Sequence, residues 1–197
     1  MSAPRAASPP PFVLASASPS RRRLLEQAGV APLILVSGVD EEAIEEAMRA
    51  RPVPDVALAL ARAKAEAVIA AADVPAGALV LGCDSIFEVD GVRLGKPPTP
   101  EEALTRWQRM RGRSGTLHTG HWLIDTGTGD CCGETVSTVV DMVDAPDDEI
   151  AAYIATGEPL KVAGGFTLDE GPYALPGPRQ LRLADEHLFA GVLVDRL

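Results

Sequence analysis

Apolar runs of strand length alternate along the chain with segments in which apolar residues recur at helical spacing. This alternation of the two periods predicts an α/β fold. The predicted strands are 12–15, 33–36, 78–83, 86–89, 92–94, 117–125 and 134–143. The predicted helices begin at Pro19 after the capping Ser18, at 55 with Asp55 as its cap, at Pro100 after Thr99, and at Asp147. Asp90-Gly91 between two short strands predicts a hairpin.

The ends of the chain differ in character from its middle. Residues 1–11 are rich in Ala, Pro and Ser and predict a disordered leader, so we expect one domain over 12–197. No internal repeat and no linker divides that domain. Closely spaced prolines follow Gly171, and the apolar run Leu188–Val194 predicts a final strand.

Charge and composition exclude several functional classes. The 197 residues carry a net charge of −10 with a pI of about 4.7, at a mean hydropathy of +0.09. A general nucleic-acid or anionic-membrane surface needs a basic face, so neither partner is expected. No apolar stretch is long enough to span a bilayer. The three cysteines lie in no disulfide or zinc pattern, which favours a reducing cytoplasm.

The first chemical motif is the start of the first helix, Ser16-Ala17-Ser18-Pro19-Ser20-Arg21-Arg22-Arg23. Backbone N–H groups and the helix dipole favour an anion there, and guanidinium groups match the geometry of phosphate. A capped helix with a solvated basic first turn is the alternative. Three arginines oppose the dipole of a merely structural helix, so a phosphate site is favoured.

Asp84 follows an apolar run typical of a central strand, and the next residues have no helical pattern that it could cap. Ligands of open α/β sheets bind beyond the carboxyl ends of strands, so Asp84 is predicted to hold a metal ion or orient water rather than to form a turn.

Two lysines and two histidines remain ambiguous. Lys64 is the only lysine of an Ala-rich helix and could snorkel from it. Lys96, in Gly95-Lys96-Pro97, lacks the context of a Walker sequence and could be solvated. His118 and His121 lie three residues apart on a predicted strand, so they do not share a metal.

Taken in order, these motifs resemble one family, the Maf family of nucleoside triphosphate pyrophosphatases. The resemblance covers about 12–171 and rests on the following segments: Leu14–Leu25, Val39-Asp40-Glu41, Lys64-Ala65, Gly82-Cys83-Asp84-Ser85, Gly95-Lys96-Pro97, Gly112-Arg113, Thr119-Gly120 and Tyr153–Leu160. It implies an elongated mixed α/β sheet flanked by helices, similar to inosine triphosphate pyrophosphatases, and often a homodimer.

The resemblance also implies an activity and its residues. A cytoplasmic enzyme dependent on Mg²⁺ or Mn²⁺ would cleave a nucleoside triphosphate to the monophosphate and pyrophosphate, clearing non-canonical or excess nucleotides. Asp84 would be the catalytic carboxylate and Glu41 the further acidic residue at the metal. Phosphate-binding roles would fall on Ser16, Arg21, Lys64 and Lys96.

Three departures from the family pattern qualify that assignment. Ser20 stands where an arginine is usual, which makes Arg22 the candidate replacement. Gly115 stands in place of a histidine, and the family's closing segment is not recognisable in 172–197. The alternatives are a nucleotide-binding regulator of cell division that does not catalyse, and a phosphatase acting on another ester.

Overall fold

The computed structural model describes residues 9–71 and 73–166, and their mixed sheet and helices confirm the predicted α/β class. The strands are β1 Phe12–Ala15, β2 Leu33–Ile34, β3 Leu79–Val89, β4 Val92–Leu94, β5 Ser114–Asp125 and β6 Cys131–Asp141. The α-helices are α1 Pro19–Gln27, α2 Glu41–Ala47, α3 Val53–Ala71, α4 Pro100–Met110 and α5 Asp147–Ala155, followed by short 3₁₀ turns at Pro159–Lys161 and Ala163–Gly165.

The described strands form one six-stranded sheet in the order β2-β1-β3-β5-β6, with β4 paired to β3 outside that sequence. Strand β1 runs parallel to both β2 and β3, and β4 runs antiparallel to β3. The β1–β3 pairing extends from Phe12 with Leu79 to Ala15 with Gly82. Strand β3 therefore continues for seven residues beyond its parallel neighbour.

The chain falls into two compact units, each with a hydrophobic core of its own. The first unit comprises Met1–Ala50, Leu58–Asp84 and Gly120–Glu134, and the second comprises Arg51–Ala57, Ser85–Thr119 and Thr135–Leu197, as far as these residues are described. The buried core of the first unit is Val13, Ala15, Ala65, Val68, Ala78 and Val80. The buried core of the second unit is Phe87, Val89, Ala103, Trp107, Met110, Val140, Met142, Ala145, Ile150, Ile154 and Phe166.

Local signals placed several elements correctly. Ser18 caps α1, and the Thr99 Oγ1 atom accepts a hydrogen bond from the Glu102 N–H at 3.2 Å, so both predicted caps are confirmed. The Asp90-Gly91 turn is confirmed as well. Both residues have positive φ, 51° and 76°, as a two-residue turn between β3 and β4 requires.

Strand β3 departs from the sequence prediction. Asp84 was expected at the end of a strand over 78–83, but the strand runs on to Val89, so Asp84 lies within it. The residues from Ile86 onward that were predicted to form a separate strand simply continue β3. The physical reason is that β3 pairs with β4 after its pairing with β1 has ended, from Phe87 with Leu94 to Val89 with Val92. Asp84 therefore lies beyond the end of β1 but inside β3.

Other elements also differ from prediction, and strands β5 and β6 begin at Ser114 and Cys131 rather than at 117 and 134. Helix α3 begins at Val53, so Asp55 lies in the first turn of the helix and is not its cap. The Asp55 N–H donates to the Pro52 carbonyl oxygen at 3.1 Å. Strand β2 ends at Ile34 rather than at 36. Helix α2 was not predicted, although Asp40 caps it through a 3.0 Å bond from the Ala43 N–H.

Some predictions concern residues outside the described ranges. Residues 1–8 of the predicted leader 1–11 and the final strand Leu188–Val194 belong to these. Among the described residues, no helix combines the length and apolarity required to cross a membrane.

Candidate active site

The turn from β1 into α1 gathers hydroxyl groups around one arginine. Ser16, which is 9% exposed, follows the buried end of β1 directly. Its Oγ atom accepts hydrogen bonds from the Ser18 N–H at 3.3 Å and from Arg21 Nη1 at 3.0 Å. The Ser18 Oγ atom caps the helix by accepting from the Arg21 N–H at 3.5 Å. Backbone and side chain of Arg21 are therefore both held by this turn.

Arg21 also connects the helix start to β3. The same Nη1 atom donates to the Cys83 carbonyl oxygen at 2.8 Å. Arg22 behaves differently, because its Nε atom pairs with Glu26 Oε1 at 2.8 Å one turn along α1, and its side chain is 59% exposed. Of the two arginines assigned to phosphate, only Arg21 is brought beside the residue that precedes Asp84.

Helix α3 approaches β3 unusually closely at Gly82. A Cβ atom at this position would lie 2.0 Å from the Ala61 carbonyl oxygen and 2.9 Å from the Ala65 nitrogen. No side chain therefore fits between helix and strand. Lys64 precedes Ala65, and Asp84 lies two residues after Gly82 on the same face of β3. The contact at Gly82 thus brings the lysine and the aspartate together.

The resulting ion pair is the most buried charged group of this region. Lys64 Nζ lies 2.5 Å from Asp84 Oδ1, and both side chains are 11% exposed. The same ammonium lies 3.0 Å from Glu41 Oε1, whose side chain is 46% exposed. Glu41 is the first residue of α2, the helix that the sequence did not predict. One cation therefore joins two carboxylates from different elements.

Burial shifts the pKa of two groups in this region. Burial raises the pKa of Asp84 above its ordinary value, although Lys64 and Arg21 oppose that shift. Burial likewise raises the pKa of the Cys83 thiol to about 11. The Cys83 side chain is thus a neutral thiol near neutral pH, and its carbonyl oxygen is the atom that Arg21 contacts.

The donor set fits a magnesium-like ion that completes its coordination with other oxygens. The described residues contain no group of three or more His, Cys, Asp or Glu side chains that could hold a metal ion. Glu41 and Asp84 supply two carboxylates around one point occupied by a cationic nitrogen. Mg²⁺ is commonly bound by one or two carboxylates together with water and substrate phosphate, so two carboxylates suffice for it.

Ser16, Arg21, Glu41, Lys64 and Asp84, all predicted from the sequence, belong to the first unit and form this cluster. Lys96 belongs to the second unit, on the exposed loop after β4. Its assignment to phosphate stays a prediction.

His118 and His121 are both buried but fall in different units. His118 forms hydrogen bonds through Nδ1 with Ser137 Oγ at 2.8 Å and through Nε2 with Glu88 Oε2 at 3.1 Å. These bonds give it a structural role between β3, β5 and β6.

Two contributors to the cluster were missed by the sequence reasoning. The Cys83 carbonyl has no sequence signal, because any residue supplies such an oxygen. Gly82 did carry one: an isolated glycine in an apolar strand often marks a close approach of another backbone.

Comparisons with known proteins agree with the resemblance on which these assignments rest. A family model described as "Maf-like protein" matches residues 11–175. The chain is 58% identical to a protein of Streptomyces coelicolor named nucleoside triphosphate pyrophosphatase, over 80% of this chain and 74% of that protein. The chain is also similar to two proteins of the same name. It is 54% identical to the one from Streptomyces avermitilis, over 80% of this chain and 74% of that protein. It is 52% identical to the one from Thermosynechococcus vestitus, over 81% of this chain and 77% of that protein.

Proposed function

The chain belongs to the Maf-like protein family, and from that premise we propose that it is a nucleoside triphosphate pyrophosphatase. The reaction attacks the α-phosphate with water and releases a nucleoside monophosphate and pyrophosphate. The observation that carries the proposal is the Glu41–Lys64–Asp84 cluster beside the Arg21-bearing helix start. It combines carboxylates for a cation with cationic groups for phosphate.

Asp84 is proposed to orient the attacking water and accept its proton, because it is the buried carboxylate of the cluster. Glu41 and Asp84 would hold Mg²⁺ or Mn²⁺. A divalent ion bound there would neutralise charge on the phosphate oxygens. Such a cluster also reconciles an acidic chain with an anionic substrate.

Arg21 and Lys64 are proposed to bind the phosphates and stabilise the negative charge that develops on the pyrophosphate leaving group. Ser16 holds the Arg21 guanidinium at 3.0 Å and so positions it. Arg22 is left out of the site, because it is paired with Glu26 on the exposed side of α1. The assignment of Lys96 to phosphate remains a proposal carried by the family resemblance alone.

The experiment is steady-state pyrophosphate release from canonical and modified nucleoside triphosphates, with Mg²⁺ and with Mn²⁺. We expect pyrophosphate and monophosphate in equal amounts, with broad, pyrimidine-leaning or modified-nucleotide activity. A preference above roughly 10⁴-fold for one base would instead indicate hydrogen-bonded reading of that base. Orthophosphate as the product would support the phosphatase alternative. Nucleotide binding without any release would support the regulator of cell division.

A further inference from the structure

The Lys64 ammonium lies at the point between two carboxylates where a cation shared by both must lie. It is 2.5 Å from Asp84 Oδ1 and 3.0 Å from Glu41 Oε1. Both oxygens belong to the residues proposed to hold the divalent ion. An ion placed between the two carboxylates would compete with the ammonium for these two oxygens. The Lys64 ammonium and a divalent ion would therefore compete for the carboxylates of Glu41 and Asp84.

Electrostatics makes joint occupancy unfavourable. A divalent ion already neutralises two carboxylates, so an ammonium kept within 3 Å of the same oxygens would add like-charge repulsion beside Asp84, whose side chain is only 11% exposed. The flexible four-carbon stem of lysine allows its ammonium to move away. Helix α3 itself is held against β3 at Gly82, so that movement involves the side chain and not the helix.

We propose that Lys64 is an internal counter-cation that competes with the divalent metal and is transferred to the triphosphate when the metal binds. The nucleotide half of this exchange rests on the proposed function. Lys64 would hold Glu41 and Asp84 together in the metal-free protein and would keep its metal affinity low. The triphosphate gives the displaced ammonium a new partner, so metal and nucleotide bind cooperatively. By linkage, each raises the affinity of the other equally.

The test measures Mn²⁺ binding to the full chain without nucleotide, by the electron paramagnetic resonance signal of free Mn²⁺ and by calorimetry. The exchange predicts that Lys64→Gln binds Mn²⁺ at least about tenfold more tightly than wild type, although a lysine has been removed from the site. Lys64→Arg keeps the competing charge and should bind close to wild type. Equal or weaker binding by Lys64→Gln would overturn the proposal.

Arg62→Gln is the matched control on the same helix. Arg62 pairs with Glu66 at 2.7 Å on the exposed side of α3, 56% exposed, and lies over the Trp122 ring. Its removal takes away one positive charge two residues from Lys64. We expect its Mn²⁺ affinity to stay within about twofold of wild type. An increase equal to that of Lys64→Gln would show a general charge effect and overturn local competition.

Folding provides a second readout. Mn²⁺ should raise the Tm of Lys64→Gln and of Lys64→Met more than that of wild type, because the metal replaces the lost counter-cation. If either variant is unfolded without metal, Mn²⁺ should restore its fold at concentrations that leave the wild-type Tm unchanged. A variant that Mn²⁺ neither stabilises nor refolds would contradict the exchange.

The nucleotide half has its own measurement. With saturating Mn²⁺, the Kd of a non-hydrolysable α,β-methylene triphosphate should rise about tenfold in Lys64→Gln and stay unchanged in Arg62→Gln. An unchanged Kd in both would overturn the transfer to the triphosphate. Wild-type pyrophosphate release tests the proposed function separately. Release without tighter Mn²⁺ binding by Lys64→Gln rejects the exchange alone, whereas tighter binding without release rejects the activity alone.

Discussion

The cores of the two units are built from side chains of different size. The first unit packs alanine and valine between helix and strand, and its backbones meet at Gly82. The second unit packs aromatic side chains, including an edge-to-face contact of Phe87 with Phe166 at 4.8 Å and of Trp107 with Tyr153 at 5.5 Å. Small side chains permit a close approach of the backbone, and aromatic side chains fill larger spaces.

The polar groups of the two units also differ, because those of the first form a buried ion pair and those of the second form a row of hydrogen bonds. In the first unit, the close approach brings Lys64 to Asp84, and burial raises the pKa of that carboxylate. In the second unit, Glu88, His118 and Ser137 form a hydrogen-bonded row on three neighbouring strands. Tight packing in one case holds a charge that costs free energy to bury, which is typical of functional sites. In the other case the polar groups satisfy one another.

The largest expected effect comes from exchanging one hydrogen-bonded carboxylate for its amide in each unit, the buried Asp84 in the first and the partly buried Glu88 in the second. Asp84→Asn removes charge at constant shape and should lower kcat at least ~10²-fold, as expected for a general base or metal ligand. Glu88→Gln is the matched change in the second unit and should leave kcat within about twofold. Pyrophosphate release measures both. Turnover of Asp84→Asn within a few-fold of wild type would end its assignment.

The same substitution has an expected effect on stability. Because burial raises the folded-state pKa of Asp84, the folded chain binds that proton more tightly than the unfolded chain. The charge therefore costs stability once the pH exceeds the unfolded pKa. Asp84→Asn should not lower the free energy of unfolding at pH 7 in metal-free buffer. A clear loss in urea denaturation would mean that the ion pair with Lys64 outweighs burial.

Gly82→Ala tests the close approach itself. The added methyl group would lie 2.0 Å from the Ala61 carbonyl oxygen, so helix α3 must shift away from β3. We expect the free energy of unfolding to fall by about 2–3 kcal/mol, with a loss of activity because Lys64 moves with the helix. Denaturant unfolding and pyrophosphate release measure the two effects.

Gly38→Ala is the control for this substitution, because a Cβ atom there meets nothing within 4 Å. It should change stability by less than about 0.5 kcal/mol. Full stability of Gly82→Ala would show that helix and strand are less tightly packed than the distances indicate.

A smaller effect separates the two adjacent arginines of α1. Arg21→Ala removes the bonds to Ser16 and Cys83 and should cost about 1–2 kcal/mol of stability and raise KM. Arg22→Ala removes only an exposed pair with Glu26, which contributes about 0.3–0.5 kcal/mol. Parallel kinetics and thermal unfolding compare them. Equal losses from both substitutions would place Arg22 in the site and contradict the division between them.

Local signals predicted the elements of the fold better than their extents. Thr99 with Pro100, and Asp90 with Gly91, have conformational preferences that act within four residues, and both were read correctly. Helix α2 was missed because its acidic residues resemble a linker and none of them is buried. The length of β3 was missed because it depends on pairing with β1, β4 and β5, and a strand's own residues do not show how far its partners extend.

The candidate site was predictable as a set of residues but not as an arrangement. The apolar run before it indicated Asp84, and resemblance to a family added Lys64 and Glu41. The bridging position of Lys64 depends on a helix and strand whose closest atoms belong to Ala61 and Gly82. No local preference encodes a contact between residues 20 positions apart. Arg22 likewise pairs with Glu26 because both lie on the exposed side of α1, and local sequence does not show which side of that helix faces solvent.

The smallest perturbation is chemical labelling of the wild-type chain, which compares the reactivity of two thiols in the first unit, Cys83 and Cys131. Cys83 is fully buried, and burial raises its pKa to about 11, so roughly one thiol in a thousand is ionised at pH 8. Cys131 is exposed at the start of β6. The thiolate is the reactive form, and raising the pH toward 11 would increase its share at Cys83.

Iodoacetamide at pH 8 should therefore label Cys131 at least about 100-fold faster than Cys83, as followed by peptide mass spectrometry. In guanidinium chloride the two rates should converge. Native labelling of Cys83 at the rate of Cys131 would show that the end of the β1–β3 pairing opens readily, and the tight packing that distinguishes this unit would be wrong.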